Sequence, residues 1–234
     1  MRVRGGGRGL LDGAAAGAAG AVLAASMVGV AALYDLRERG IPHWALALMG
    51  VACAAFLAVR WAAQGAWPQP HDAAWMGVAC AVGAMSLRGT LVARGDAAMI
   101  AISGVLVPSA AGIPALPVAM LVAALAAGAA HIARTVVPNL AELARTGSIF
   151  GGVDEPAIRK AAALLVVRRR RRGERFCFAG EVTRGGRRRL ALLPGPPDSA
   201  EIMARTEYVI SVIPLMVPYF AGSCAVAAMA ILLA

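Results

Sequence analysis

A run of 22 residues without a charged side chain, from Gly13 to Tyr34, constrains the fold of this chain more than any other feature. About 20 predominantly apolar residues in helical conformation cross the hydrocarbon core of a bilayer. The run is also longer than the apolar core of a cleaved signal peptide, which has about 7 to 15 residues. It therefore predicts a retained membrane-spanning helix.

Similar runs recur along the chain, and we predict further spans at about 44–63, 74–92, 97–107, 118–133 and 208–233. The 234 residues are 59% hydrophobic, with a mean hydropathy of +0.69, which is more apolar surface than one globular core buries. The runs are continuous, whereas the strands of a membrane β-barrel alternate. The predicted fold class is an all-α polytopic membrane protein with about six transmembrane helices. Alanine and glycine dominate the runs and predict close helix packing.

The segment 138–205 is polar and predicts a small α+β insert before the last helix. Pro156 to Leu165 is typical of a helix with proline in its first turn. The stretches 175–182 and 188–193 flank Arg184-Gly185-Gly186 and predict a hairpin. The predicted domains are a membrane domain at 1–137 with five helices, a basic cytoplasmic insert at 138–205 and a sixth transmembrane helix at 206–234.

The net charge of +10 is concentrated between Arg134 and Arg205. Loops near Gln69 and Ala111 contain no lysine or arginine, so the positive-inside rule places the insert and the turn after Asp35 in the cytoplasm. No aromatic interleaving accompanies the arginines, and we therefore expect lipid as a partner and no nucleic acid. The four cysteines form no C-x-x-C pair, and no metal or cofactor is expected.

Two acids, Asp35 and Asp96, stand directly at the ends of apolar runs and fall on the predicted inner side. An ionised aspartate in hydrocarbon costs about 3 kcal/mol or more, so such an acid is a functional candidate. Two adjacent carboxylates cannot both ionise cheaply, so one stays protonated while the other acts as a base. Such a pair can hydrolyse a peptide through an activated water, and it equally suits the proton relay of a small proton-coupled transporter.

The surroundings of the two acids resemble the motifs of the type IV prepilin peptidase family. The stretch Asp35-Leu36-Arg37-Glu38-Arg39-Gly40-Ile41-Pro42-His43 resembles Asp-x-Arg-x-x-x-Ile-Pro-Asn, with His43 at the asparagine position. Ala93-Arg94-Gly95-Asp96 resembles the Gly-x-Gly-Asp motif, with Ala93 at the first glycine. Pro138-Asn139, Phe150, the basic insert and the stretch 213–218 are similar to the archaeal preflagellin and prepilin peptidase branch.

This resemblance implies an aspartic endopeptidase that removes the short basic leader of class III signal peptides from prearchaellins or type IV prepilins. Asp35 and Asp96 would be catalytic, and Gly95, Pro42 and His43 would support the site. Gly95 would allow close backbone approach, and His43 would donate a hydrogen bond. We expect Asp35 at a turn and not inside a helix core, which argues against a presenilin-like protease that cuts within the bilayer. His131, in the fifth span, is expected to be a packed side chain.

Overall fold

The computed structural model describes residues 6–38, 40–64, 68–86, 94–110, 112–171, 177–184, 187–192, 206–211 and 213–234. The described chain is mostly helical and divides into two compact units. We name them the helical unit, residues 1–126 and 214–234, and the insert unit, residues 127–213. The sequence had placed the corresponding boundaries after residues 137 and 205. Helical structure continues through the first of these predicted boundaries, from Ala115 to Thr146.

The helical unit consists of helices joined by short connections. Its elements are α1 (Gly6–Glu38), α2 (His43–Gln64), α3 (Pro70–Ser86), α4 (Arg94–Leu106), β1 (Ser109–Ala110), β2 (Ile113–Pro114), the first part of α5 (Ala115–His131) and α8 (Met216–Leu232). Strands β1 and β2 form a two-stranded antiparallel pair.

Three helices in the described ranges are long and apolar enough to cross a membrane: Ala15–Glu38, His43–Ala62 and Ala115–Thr146. Large apolar side chains on their outer faces are exposed, as lipid-facing residues are, including Leu48, Val51 and Val59 on α2. Helices α3, α4 and α8 have 17, 13 and 17 residues. At about 1.5 Å per residue they are shorter than a hydrocarbon core of about 30 Å. The structure therefore supports a helical membrane protein, and six spans are not confirmed.

Small residues mark the closest approaches between helices, which confirms the predicted close packing. A Cβ on Gly104 of α4 would lie 2.6 Å from the Cβ of Ala79 in α3. A Cβ on Gly29 of α1 would lie 2.9 Å from the Phe220 ring in α8, and one on Gly222 would collide with the backbone at Ala119. Side chains at these glycines would push the helices apart.

The insert unit combines short helices with two small sheets. Its elements are a π-helical segment (Ile132–Val136), α6 (Val137–Thr146), α7 (Ala157–Val166), β3 (Val167–Arg169), β4 (Cys177–Ala179), β5 (Glu181–Arg184), β6 (Arg187–Leu190) and β7 (Tyr208–Ser211). Strand β7 lies between β3 and β4, antiparallel to both, and β5 pairs with β6. The predicted helix and hairpin are confirmed. The core includes Phe150, Val167, Leu190 and Tyr208.

Two predicted span boundaries are wrong. The sixth span was expected from Tyr208, but Tyr208–Ser211 is a strand and the helix begins at Met216. Aromatic and β-branched residues favour a strand there, and Pro214 disfavours helix in the residue before it. The fifth span was expected to end near Ala133, but helical structure continues to Thr146. Pro138, which lacks an N–H, is accommodated in the first turn of α6, directly after the wider π-helical turns.

Candidate active site

Asp35 lies in the last turn of α1 and is buried, with 9% of its surface exposed. The C-terminal end of a helix carries a partial negative charge, which opposes a carboxylate there. The N-terminal end of α8, which carries a partial positive charge, offsets this effect. There the backbone N–H of Met216 donates a 3.3 Å hydrogen bond to Asp35 Oδ2. This bond fixes the orientation of the carboxyl group inside the helical unit.

Asp96 lies in the first turn of α4, where the partial positive charge of the helix end favours an acid. The side chain is half-buried and lies within electrostatic reach of Asp35. The two helices run antiparallel: a Cβ on Gly20 of α1 would approach the Leu106 carbonyl at the far end of α4. The C-terminal end of α1 therefore meets the N-terminal end of α4, and the structure brings Asp35 and Asp96 together.

The turn between α1 and α2 completes this end of the helical unit. Ile41 is buried and faces Gly95, at 3.6 Å from the position a Cβ would take. The Pro42 carbonyl accepts hydrogen bonds from the N–H groups of Ala45 and Leu46, which begins α2. The Ile-Pro pair thus links the Asp35 helix end to the residue preceding Asp96, and the supporting role of Pro42 stays a prediction.

Gly95 and His43 have less specific surroundings than the resemblance implies. The 3.6 Å separation at Gly95 is ordinary van der Waals contact, so the space beside Ile41 does not require glycine. His43 is the first residue of α2 and its side chain is exposed. Among the described residues, no hydrogen bond joins His43 to either aspartate. The structure therefore gathers the two acids, Gly95 and Pro42, and leaves the imidazole at the rim.

The sequence placed Asp35 in a turn, and this detail is wrong. Helix α1 continues through Tyr34 and Asp35 to Glu38, so Asp35 is a helical residue three positions before the end. Tyr34 makes an edge contact with Trp44 at 6.0 Å between ring centroids, which holds the ends of α1 and α2 together. The turn argument against a presenilin-like protease is therefore lost.

Sequence reasoning missed a buried polar contact between α4 and α8. The hydroxyl groups of Ser103 in α4 and Tyr219 in α8 lie 2.8 Å apart, and Ser103 also donates to the Ile100 carbonyl. Both side chains line a small cavity in the helical unit. Ser103 is two turns from Asp96 and Tyr219 is one turn from Met216, so the contact joins two of the three helices that contribute to the site. The apolar runs around both residues gave no signal for it.

The structure also shows what surrounds His131, which the sequence did not favour as a functional residue. His131 is half-buried, and its Nε2 lies 2.6 Å from the Leu165 carbonyl in an exposed contact. Within the described ranges, histidine, cysteine and acidic side chains form no group of three that could hold a metal ion.

Comparisons of the chain with protein-family models, with curated proteins and with solved structures gave no match.

Proposed function

We propose that this protein is a membrane-embedded aspartic endopeptidase of the type IV prepilin peptidase kind. One observation carries the proposal: two acids 61 positions apart in sequence, each in a motif resembling that family, meet at one end of the helical unit. A buried carboxylate beside a second one is costly to maintain and is characteristic of a functional pair. The catalytic groups are Asp35 and Asp96.

The reaction follows from the shared titration of the pair. The ionised carboxylate takes a proton from a water molecule, and the oxygen of that water attacks the scissile carbonyl carbon. The protonated carboxyl group donates to the carbonyl oxygen, and a tetrahedral diol forms. When the C–N bond breaks, the protonated carboxyl group gives its proton to the leaving amine and the other carboxylate takes a proton from a diol hydroxyl, so that the pair again holds one shared proton. The Met216 N–H occupies Asp35 Oδ2, which leaves Oδ1 as the oxygen for proton exchange in this proposal.

The proposed substrates are type IV prepilins or prearchaellins. Their short basic leader would lie in the cytoplasm beside the two acids, and their apolar helix would lie in the bilayer against the lipid-facing helices. The positive-inside distribution supports a cytoplasmic site in the cell membrane. Cleavage would occur just before the apolar helix.

The direct test is to incubate the protein, reconstituted in membranes, with a prepilin and a prearchaellin that carry basic leaders. We expect a shortened product with wild type and none with Asp35→Asn or Asp96→Asn. Glu38→Gln is the matched control, because Glu38 is an exposed acid in the same helix turn as Asp35. Unchanged cleavage in either aspartate variant would remove that residue from the mechanism. Aspartate-dependent proton uptake without cleavage would favour a proton-coupled transporter.

A further inference from the structure

Helix α7 of the insert unit presents an apolar face outward. Ile158 is 82% exposed and Leu165 is 57% exposed, and the exposed Ala161 and Ala162 lie between them. Their spacing of i, i+3, i+4 and i+7 places all four on one side of the helix. The opposite side contains the buried Ala163, and the charged Arg159 and Lys160 are half-buried. A helix on a water-exposed surface instead buries its apolar side and exposes its charged side.

Helix α6 shows the same reversed polarity. Val137 is 55% exposed and Leu140 is 51% exposed, and Ala141 and Ala144 continue this face at i+4 and i+7. The polar Asn139 instead points inward, where its Nδ2 donates to the carbonyls of Leu164 and Val167 at 2.8 and 2.7 Å. The inward polar group is thus satisfied by hydrogen bonds, and the outward apolar face is left without a described partner.

Charge identifies the chemistry of the surface that would cover these faces. Residues 127–213 contain 15 of the 23 basic residues and eight of the 13 acids. Described acids are already engaged in the insert unit, because Arg188 pairs with Glu181 and Glu207, and Arg169 pairs with Glu142 and Glu207. A basic surplus in a unit that carries an exposed apolar stripe is the composition of a domain that lies on an anionic membrane surface.

The helix that contains α6 agrees with this occupant, because Ala115–Thr146 is long and apolar enough to cross a membrane. Ile132 continues the exposed apolar face, and Val137 and Leu140 follow it on the next turns. The face of α6 is therefore continuous with a stretch suited to the membrane.

We propose that α7 lies in the boundary between headgroups and acyl chains of an anionic leaflet, with Ile158 and Leu165 facing the acyl chains. The insert unit is then an interfacial domain and not a solvated one. The inference does not depend on the proposed peptidase activity.

The test uses full-length protein in which the exposed Cys80 and Cys224 are replaced by alanine. One exposed cysteine is then introduced by Ile158→Cys or Leu165→Cys and labelled with an environment-sensitive fluorophore, while the buried Cys53 and Cys177 are kept. Thr183→Cys, at an exposed position of the hairpin, is the matched control. The protein is reconstituted in phosphatidylcholine vesicles with and without phosphatidylglycerol, and quenching by brominated acyl chains and by aqueous iodide is measured. Labelling exposed positions avoids disturbing the core.

With phosphatidylglycerol, we expect brominated lipid to quench the labels at 158 and 165 severalfold more than the label at 183, and iodide to do the opposite. Iodide quenching of positions 158 and 165 equal to that of position 183 would overturn the proposal. Protection from iodide without quenching by brominated lipid would also overturn it, because a protein partner or a second copy would then cover the face. Equal lipid quenching without phosphatidylglycerol would overturn the preference for an anionic leaflet.

Discussion

The backbone amide of Met216 donates a hydrogen bond to the Asp35 carboxylate, joining two positions 181 residues apart in the sequence. The bond connects the C-terminal end of the first helix to the N-terminal end of the last. Asp35 lies at the negative C-terminal end of its own helix, and this bond places its carboxyl group at the positive N-terminal end of the last helix. The candidate site therefore depends on both ends of the chain.

This contact predicts different effects of two substitutions at position 35. The oxygen of asparagine can still accept the Met216 N–H, whereas alanine leaves that buried donor unpaired. We expect Asp35→Ala to lower the free energy of unfolding by about 1–3 kcal/mol relative to Asp35→Asn. Reversible denaturation in mixed micelles measures the difference, with Glu38→Ala against Glu38→Gln as the exposed control. Equal stability of the two position-35 variants would contradict the hydrogen bond.

The proposed dyad predicts non-additive kinetics. Asp35→Asn and Asp96→Asn should each reduce cleavage by several orders of magnitude, and the double variant should be little worse, because the residues act as one unit. The rate should fall on both sides of a pH optimum that belongs to the pair, and chelators should leave it unchanged. Initial rates on a labelled prepilin provide the measurement. Additive losses in the double variant would show that the acids act independently.

The contact between Ser103 and Tyr219 predicts an indirect effect on the same reaction. Tyr219→Phe and Ser103→Ala should each weaken the attachment of α4 to α8, with a coupling in a double-mutant cycle of about 0.5–1.5 kcal/mol. We expect a lower cleavage rate but an unchanged shape of the pH profile, because neither hydroxyl takes part in proton transfer. Ser26→Ala is the control, since the exposed Ser26 bonds only within its own helix, to the Val22 carbonyl. Zero coupling would contradict this role.

Hydrophobic runs and lone acids carried most of what the sequence could predict. Asp35 and Asp96 were expected to share a site because an ionised acid at the end of an apolar run costs free energy and is therefore a functional candidate. The insert helix and hairpin were predictable from Pro156 and from Gly185-Gly186, since these residues set local backbone geometry. Each of these signals is carried by residue type within a short stretch.

The remaining features depend on contacts that residue type does not encode. Met216 contributes a backbone N–H, which every residue except proline carries. Ser103 and Tyr219 are ordinary members of apolar stretches, and only the fold shows that they meet. Strand β7 was assigned to the last helix because a short apolar run has no periodicity that separates a buried strand from a buried helix. The outward apolar faces of α6 and α7 likewise required the structure.

The insert unit should lose stability in acid through Glu207. Hydrogen bonding to Arg188, followed by that to Arg169, lowers the Glu207 pKa in the folded state. A folded pKa below the unfolded value means that the stabilisation is present above the unfolded pKa, about 4.3, and is lost as the pH falls through the folded value. Amide exchange of β3 and β7 between neutral and acidic pH should show this loss, and Glu207→Gln should flatten it. The exposed Asp154, paired with Arg187, provides the control Asp154→Asn. An unchanged pH dependence in Glu207→Gln would contradict the assignment.

The position of the cut separates the proposed peptidase from a protease that cuts within the bilayer. Both kinds use paired aspartates, and the helical setting of Asp35 no longer distinguishes them. The acids lie at the ends of α1 and α4 and not in their middles, so the scissile bond should lie at the end of the substrate's apolar helix. Mass spectrometry of both products from a prepilin should place the cut between the basic leader and the first apolar turn. Moving the basic residues by one helical turn should move the cut with them. A cut inside the apolar helix, unaffected by that shift, would assign the protein to the intramembrane class.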